Sequence, residues 1–169
     1  MPEITIRPVL AAEFTALAVL TVAAYSAVPG GSTSAGYEVT LRDVATRARD
    51  ADVLVAVDAD GTLLGGITYV SGPGPYAEFS GADEAGIRML AVAPAAQRLG
   101  VGRGLVRECV ARAEATGRAR IVLHTTAAMT AAQSLYEALG FVRAPGRDAR
   151  SSPRTHLIAY VLDLRTATR

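Results

Sequence analysis

The sequence has little of the chemistry that disulfides and metal sites require. It contains one cysteine, Cys109, and two histidines among 169 residues. A single cysteine excludes an internal disulfide, and together with two scattered histidines it excludes the usual zinc-ligand spacings. Cys109 falls on the apolar side of a predicted helix, so we interpret it as a core residue rather than a catalytic thiol. We therefore predict no metal site.

The sequence also lacks an excess of charge of either sign. Seventeen Lys and Arg residues stand against sixteen Asp and Glu residues, which leaves a net charge of +1. This balance gives no electrostatic reason to expect nucleic acid as the partner. Any anion site must therefore be local.

Long apolar runs are missing as well. Residues 14–24 read FTALAVLTVAA, which is far short of the roughly 20 apolar residues that cross a membrane. Glu3 and Glu13 precede the run, which argues against a signal peptide. We interpret the run as a buried first helix, expect no membrane partner, and take the cytoplasm as the default location.

What is present is the composition of a packed protein. Hydrophobic residues make up 50% of the chain, which predicts a globule with a core rather than disorder. A length of 169 residues suits one domain and is too short for two. We therefore predict a single domain over residues 1–169.

Local patterns predict strands and helices along the whole chain. The predicted strands cover residues 4–10, 52–58, 62–70, 87–93, 120–126 and 156–164, the last as a single strand or a pair. The predicted helices cover 11–25, 37–49, 101–116 and 130–139, with loops at 28–36, 71–86 and 144–154. The Asp60-Gly61 pair predicts a hairpin that joins two antiparallel strands. This order favours an α/β protein with a mixed sheet.

Residues 97–106, QRLGVGRGLV, place three glycines at alternate positions at the start of a predicted helix. Free backbone N–H groups at a helix start form an anion site, and glycines let a phosphate approach closely. Arg98 and Arg103 add positive charge beside them. The stretch therefore predicts a pyrophosphate site, with a glycine-rich helix start that binds nothing as the alternative.

Two familiar phosphate-binding patterns do not match the residues of this stretch. The dinucleotide fingerprint G-x-G-x-x-G needs a glycine where Leu105 stands, and the P-loop needs a Gly-Lys-Ser/Thr triplet that the chain lacks. A third pattern, Gln/Arg-x-x-Gly-x-Gly/Ala, is matched by residues 97–102. These residues therefore disfavour NAD or ATP as the ligand.

The segment MLAVAPAAQRLGVGRGLVREC (89–109) and the later MTAAQSLYEALGF (129–141) together resemble the GNAT superfamily of acyl-CoA N-acyltransferases. The resemblance implies a mixed, mostly antiparallel central sheet with helices on both faces and a splayed strand pair at the CoA site. It also implies an acetyl-CoA-dependent N-acetyltransferase that acts by direct attack of an amine in a ternary complex.

The resemblance assigns cofactor-binding roles by position. The backbone of the strand before the glycine loop is expected to bind the pantetheine arm and the acetyl carbonyl, and the loop and helix start to bind the pyrophosphate. The strand residues are Leu90, Ala91 and Val92; Gln97 and Arg98 lie at the loop entrance; and the amides are those of Leu99, Gly100, Val101, Gly102, Arg103 and Gly104.

The resemblance implies that Tyr136 is the general acid, since a phenol beside the thioester sulfur can protonate the departing thiolate. The alternative is a helix tyrosine that packs in the core. The base is less clear, since Gly86 stands where the resemblance predicts an acidic residue. Glu84 lies two residues back on the same strand face and is the predicted base, with an ordinary loop carboxylate as the alternative. We interpret His124 as a hydrogen-bonded core histidine rather than a proton shuttle.

The resemblance implies that three segments select the acceptor, namely residues 26–37, 71–86 and 143–154. The second is acidic and aromatic, which suits a cationic amine, and the third carries four arginines, which suit a carboxylate or a phosphate. An amino acid, a peptide amino terminus and a small polar amine all fit. A CoA-binding regulatory module with little turnover remains the alternative function, and a homodimer remains open.

Overall fold

One mixed sheet of eight strands forms the centre of the computed structural model, which describes residues 2–30, 34–79 and 81–165. The strands are β1 (Thr5–Pro8), β2 (Asp52–Val57), β3 (Leu63–Val70), β4 (Glu84–Val92), β5 (Arg120–Thr125), β6 (Val142–Arg143), β7 (Ala149–Ser152) and β8 (Thr155–Asp163). The helices are α1 (Phe14–Ser26), α2 (Ala35–Arg42), α3 (Val44–Asp50), α4 (Val101–Ala115) and α5 (Thr130–Ala138). Of the predicted loop 28–36, residues 31–33 lie outside the described part.

The strand order across the sheet is β1-β2-β3-β4-β5-β8-β6, and β7 pairs with β8. The pairing is antiparallel everywhere except between β4 and β5, which are parallel. The predicted mixed, mostly antiparallel sheet is confirmed. The predicted hairpin joins β2 and β3, with Gly61 at a positive φ of 82° in its turn.

Helices cover both faces of this sheet, as the alternating side chains of β2 show. Leu54 and Ala56 pack in a cluster with buried residues of α4 and α5. Val53 and Val55 pack in a second cluster with α1 and α3. Cys109 is fully buried in the first cluster, and burial raises the pKa of its thiol, so the interpretation as a core residue holds. In the part of the chain that the structure describes, no helix is long and apolar enough to cross a bilayer.

The two central strands separate halfway along their length. β4 pairs with β5 only from Glu84 opposite Arg120 to Ile87 opposite Leu123. Beyond that point β4 contains a bulge, because the register of its pairing with β3 shifts next to Met89, whose φ is +56°. A bulge increases the local twist and turns a strand away from its neighbour. The predicted splayed strand pair is therefore present.

Three sequence expectations differ from the structure. The helix predicted over 37–49 is two helices, because Asp43 breaks it and its carboxylate accepts a hydrogen bond from the Thr46 N–H at 3.2 Å as the cap of α3. β4 begins at Glu84, earlier than predicted. The predicted loop 144–154 contains a 3₁₀ turn, Pro145–Arg147, and the strand β7.

Two adjacent glycines in β3 allow helices to pack closely on both faces of the sheet. A Cβ on Gly65 would lie 2.7 Å from the carbonyl oxygen of Ala91 and 2.9 Å from Val101 Cγ1. A Cβ on Gly66 would lie 2.7 Å from a methyl group of Leu17 in α1. These glycines are therefore required by packing beside the bulge.

We expect Gly65→Ala to lower the free energy of unfolding by about 1–3 kcal/mol, because the added methyl group meets backbone that cannot move aside. Gly36→Ala is the matched control, since a Cβ there meets nothing within 4 Å. Urea unfolding of both variants measures the difference. If Gly65→Ala were as stable as Gly36→Ala, the packing argument would be contradicted.

Candidate active site

The glycine loop leads into α4 through a left-handed residue and leaves its first amides free. Gly100 caps the helix with φ +82° and ψ 11°, a conformation that suits glycine. Within the described chain, no acceptor bonds the backbone N–H groups of residues 99–103. These donors and the positive end of the helix dipole form an anion cradle. The exposed side chains of Arg98 and Arg103 lie beside it.

The third glycine of the loop does not belong to this cradle. The Gly104 N–H donates a helical hydrogen bond to the Gly100 carbonyl at 3.0 Å. A Cβ on Gly104 would lie 3.0 Å from Ile6 Cδ1 of the neighbouring strand β1. The expectation that Gly104 contributes an amide to an anion is therefore corrected, because its N–H is already bonded and its lack of a side chain serves packing.

The strand before the loop presents an unpaired edge to the gap between β4 and β5. Ala91 and Val92 pair with β3 on one side. No β5 residue pairs with residues 88–92 on the other side. Backbone groups along such an edge need hydrogen-bond partners, so this edge suits a ligand that carries amides of its own. Leu90, Ala91 and Val92 thus lie on an unpaired strand edge, and their binding of a pantetheine arm stays a prediction.

Tyr136 lies on α5 and is almost fully buried. Its ring packs against Phe141 and Tyr160, with centroid separations of 5.7 and 6.3 Å. Burial raises the pKa of the phenol. Among the described residues its hydroxyl has no hydrogen-bond partner. The phenol therefore stays protonated at neutral pH, and its proton is not used in another hydrogen bond among the described residues.

Glu84, the predicted base, is held by several hydrogen bonds. Its carboxylate is 2% exposed and receives the Arg147 guanidinium on both oxygens at 2.7 Å. Arg120 and the Gly81 N–H each donate to it at 3.1 Å. Chiefly through the hydrogen bonds from Arg147, its pKa is lowered to about 2. A carboxylate so well bound is a weak base, so this geometry argues against the predicted role. It favours a structural role for the ion-paired cluster of Glu84, Arg120 and Arg147, called the clamp below.

The clamp joins three elements that are far apart in the chain. Glu84 opens β4, Arg120 opens β5, and Arg147 ends the 3₁₀ turn after α5. At Gly86, where the resemblance predicts an acidic residue, a Cβ would lie 3.0 Å from the ring of Phe79. Residues from the predicted acceptor segments 71–86 and 143–154 therefore cover the same face of these strands.

Further polar groups lie on that face beyond the last β4–β5 pair. Arg88 Nε donates to Glu78 Oε1 at 2.8 Å, and its guanidinium lies over the Tyr76 ring at 5.7 Å. His124 Nε2 lies 2.9 Å from the Arg147 carbonyl oxygen, and its Nδ1 lies 3.8 Å from Glu78 Oε2. No spacing in the sequence indicates that Glu78 meets His124, so sequence reasoning missed this pair.

Aromatic residues from the first two helices lie near the same region. The rings of Tyr25 in α1 and Tyr37 in α2 meet edge to face at 6.1 Å. Burial, with smaller contributions from the neighbouring Tyr37 and Tyr136, raises the pKa of Tyr25 well above its ordinary value. The described residues contain no cluster of three or more His, Cys, Asp or Glu side chains that could hold a metal ion.

Comparison with known proteins adds evidence on the family. A sequence profile described as the acetyltransferase (GNAT) family matches residues 23–141. The structure is similar to a GNAT-family acetyltransferase from Staphylococcus aureus Mu50, with a TM-score of 0.77 at 15% identity over 96% of this chain and 99% of that one. No curated protein matches the sequence.

Two further solved structures are similar over nearly their whole length. A GCN5-related N-acetyltransferase from Kribbella flavida has a TM-score of 0.70 at 25% identity, covering 95% of this chain and 98% of that one. The PaiA N-acetyltransferase from Thermoplasma acidophilum, in complex with coenzyme A, has a TM-score of 0.69 at 18% identity, covering 93% and 98%. These likenesses support the α/β fold described above.

We expect Glu84→Gln to lower the free energy of unfolding by about 2–4 kcal/mol at neutral pH, because two arginines lose a buried carboxylate. Since the folded state lowers the pKa of Glu84 from 4.5 to about 2, the stabilisation is complete above the unfolded-state pKa and is lost as the pH falls toward about 2. The difference between the variant and the parent protein should therefore shrink below about pH 4.5.

Urea unfolding at several pH values between neutrality and about pH 3 checks this expectation. Glu108→Gln is the control, because it breaks the more exposed pair with Arg112 in α4 and should cost under about 0.5 kcal/mol. A loss at Glu84 that does not change with pH would refute the ion-pair account.

Proposed function

Because the chain belongs to the acetyltransferase (GNAT) family, we propose that it is an acetyl-CoA-dependent N-acetyltransferase that acts on a primary amine. One observation carries the proposal: the gap between β4 and β5 opens beside the free N–H groups of residues 99–103. A long ligand with a phosphate group at one end and amides along its arm matches that arrangement. The coenzyme A complex of the PaiA N-acetyltransferase supports the choice of ligand.

The residues present fit acetyl-CoA. The N–H groups of residues 99–103 would bind the pyrophosphate, with Gln97, Arg98 and Arg103 at the rim. The unpaired edge of β4, at Leu90, Ala91 and Val92, would bind the pantetheine arm through the backbone. When bound, acetyl-CoA supplies the thioester that an amine attacks.

Tyr136 would donate a proton to the departing thiolate. Its hydroxyl has no competing partner among the described residues, so its proton is available to the sulfur. General acid catalysis contributes about 10²–10⁴-fold when the donor is well placed. The group therefore fits the role of general acid in a direct transfer.

The acceptor would approach from the opposite face, where Tyr76, Glu78 and Arg88 lie together. Arg88 already pairs with Glu78 Oε1 and covers the Tyr76 ring, so Oε2 is the oxygen that would attract a cationic amine. A small-molecule amine and a peptide amino terminus both fit this chemistry. A cytoplasmic location and a homodimer remain predictions.

A CoA-binding regulatory module with little turnover is the second candidate. The observation that favours it is that Glu84 is fully engaged by arginines and that Gly86 provides no carboxylate. Binding of acetyl-CoA is common to both candidates, and turnover separates them.

We expect calorimetric titration to detect acetyl-CoA binding that Arg103→Glu weakens by at least about tenfold, because the new carboxylate repels the pyrophosphate. Arg107→Glu is the matched control, since Arg107 is exposed further along α4, and it should change the dissociation constant by less than about twofold. A folded, monodisperse parent protein that binds no acetyl-CoA would exclude both candidates.

We expect Tyr136→Phe to lower kcat by about 10²-fold or more while the dissociation constant for acetyl-CoA stays unchanged. Tyr160→Phe is the control, because Tyr160 packs against Tyr136 but donates its hydroxyl to Glu137 at 2.8 Å. Release of CoA thiol in the presence of primary amines measures turnover. Unchanged kcat in the Tyr136 variant would remove the phenol from the mechanism.

A further inference from the structure

His124 occupies the first position of β5 beyond the last residue that pairs with β4. Side chains alternate along a strand, so its side chain lies on the face opposite to that of Leu123. Leu123 shares its cluster with Tyr136. His124 and the proposed acid therefore lie on opposite faces of the sheet at the point where the gap opens.

One hydrogen bond determines which ring nitrogen of His124 carries the proton. Nε2 lies 2.9 Å from the carbonyl oxygen of Arg147. A carbonyl can only accept, so Nε2 carries hydrogen and donates. In the neutral ring Nδ1 is then left with a lone pair.

That lone pair is buried and has no hydrogen bond. The His124 side chain is 6% exposed, and Nδ1 has no hydrogen-bond partner among the described residues. Buried polar atoms are nearly always hydrogen-bonded, so an exception needs an explanation. A core histidine held at both nitrogens would need none, whereas a base that awaits a substrate proton leaves one nitrogen free.

One carboxylate oxygen lies near Nδ1. Glu78 Oε2 lies 3.8 Å away, which is too far for a hydrogen bond but close enough to stabilise an imidazolium. The other Glu78 oxygen is paired with Arg88 on β4. From the 3₁₀ turn, the Arg147 guanidinium is paired with Glu84, which also accepts from Arg120.

We propose that His124 is the general base of the reaction and that Glu78 stabilises its protonated form. The proposal rests on the function proposed above, and it supplies the base that neither Glu84 nor Gly86 provides. Imidazole suits the task because its charge changes between about pH 5 and 8.

The proposed transfer forms one C–N bond, breaks one C–S bond and releases one proton to solvent. Nδ1 takes one proton from the acceptor ammonium, directly or through one water, and the amine nitrogen then uses its lone pair to form the C–N bond. The C–S bond breaks, and the sulfur takes the proton of the Tyr136 phenol. The new amide nitrogen loses its second proton to restore that phenol, and His124 releases the first proton to solvent.

The test compares His124→Gln with His156→Gln. The glutamine amide at 124 can still donate to the Arg147 carbonyl but cannot take a proton, and His156 is an exposed histidine that pairs with Asp148. The acceptors are free methionine, the tripeptide Ala-Ala-Ala and putrescine, and the fastest of them is used for all variants.

We expect His124→Gln to lower kcat by about 10²-fold or more and to leave the affinity for acetyl-CoA unchanged. The activity of His156→Gln should equal that of the parent protein. The deficit should shrink as the pH rises toward the acceptor's own pKa, because the amine then arrives deprotonated. Glu78→Gln should shift the acidic limb of the kcat/KM profile to lower pH. A deficit that is equal at every pH, or none at all, would overturn the proposal.

Nitrogen NMR of the imidazole provides a readout that needs no turnover. In the His156→Gln protein His124 is the single remaining histidine, and we expect its neutral form to carry hydrogen on Nε2. Hydrogen on Nδ1, or no change of protonation between about pH 5 and 9, would overturn the proposal. Absence of acetyl-CoA binding would instead overturn the proposed function itself, and the proposal with it.

Discussion

The candidate site depends on the point at which β4 and β5 stop pairing. Four consecutive parallel pairs end at Ile87 and Leu123, and the bulge at Met89 turns the rest of β4 away. A strand edge inside a packed protein is costly unless its backbone groups find partners. Here the unpaired edge leads along the chain to the free amides of the α4 start, so the two features adjoin as an extended ligand would require.

Ion pairs hold together the end at which β4 and β5 are paired. Glu84 binds Arg147 and Arg120 so tightly that its pKa falls to about 2, and the strength of this pairing is the reason it makes a poor base. Arg147 has two roles at once, because its guanidinium binds Glu84 while its carbonyl orients the His124 ring. The same turn therefore links the stability of the strand pair to the geometry of the proposed base.

The proposed acid and the proposed base are separated by the sheet itself. Tyr136 lies in the cluster beneath α4 and α5, where burial raises the pKa of its phenol. His124 lies on the other face, beside charged groups from the predicted acceptor segments. The gap between the strands is the place where the two faces meet, so a thioester there would have a proton donor on one side and a proton acceptor on the other.

The sequence by itself determined the features that depend on neighbours in the chain. Apolar periodicity located the strands and helices, Asp60-Gly61 located a hairpin, and residues 97–102 and 129–141 indicated the family. It could not determine that Asp43 would divide a helix in two, or that Gly104 would pack against β1. Only the tertiary structure decided the pairs Glu84–Arg147 and Glu78–His124, because their members lie far apart in the chain and meet only when loops fold over the splayed strands.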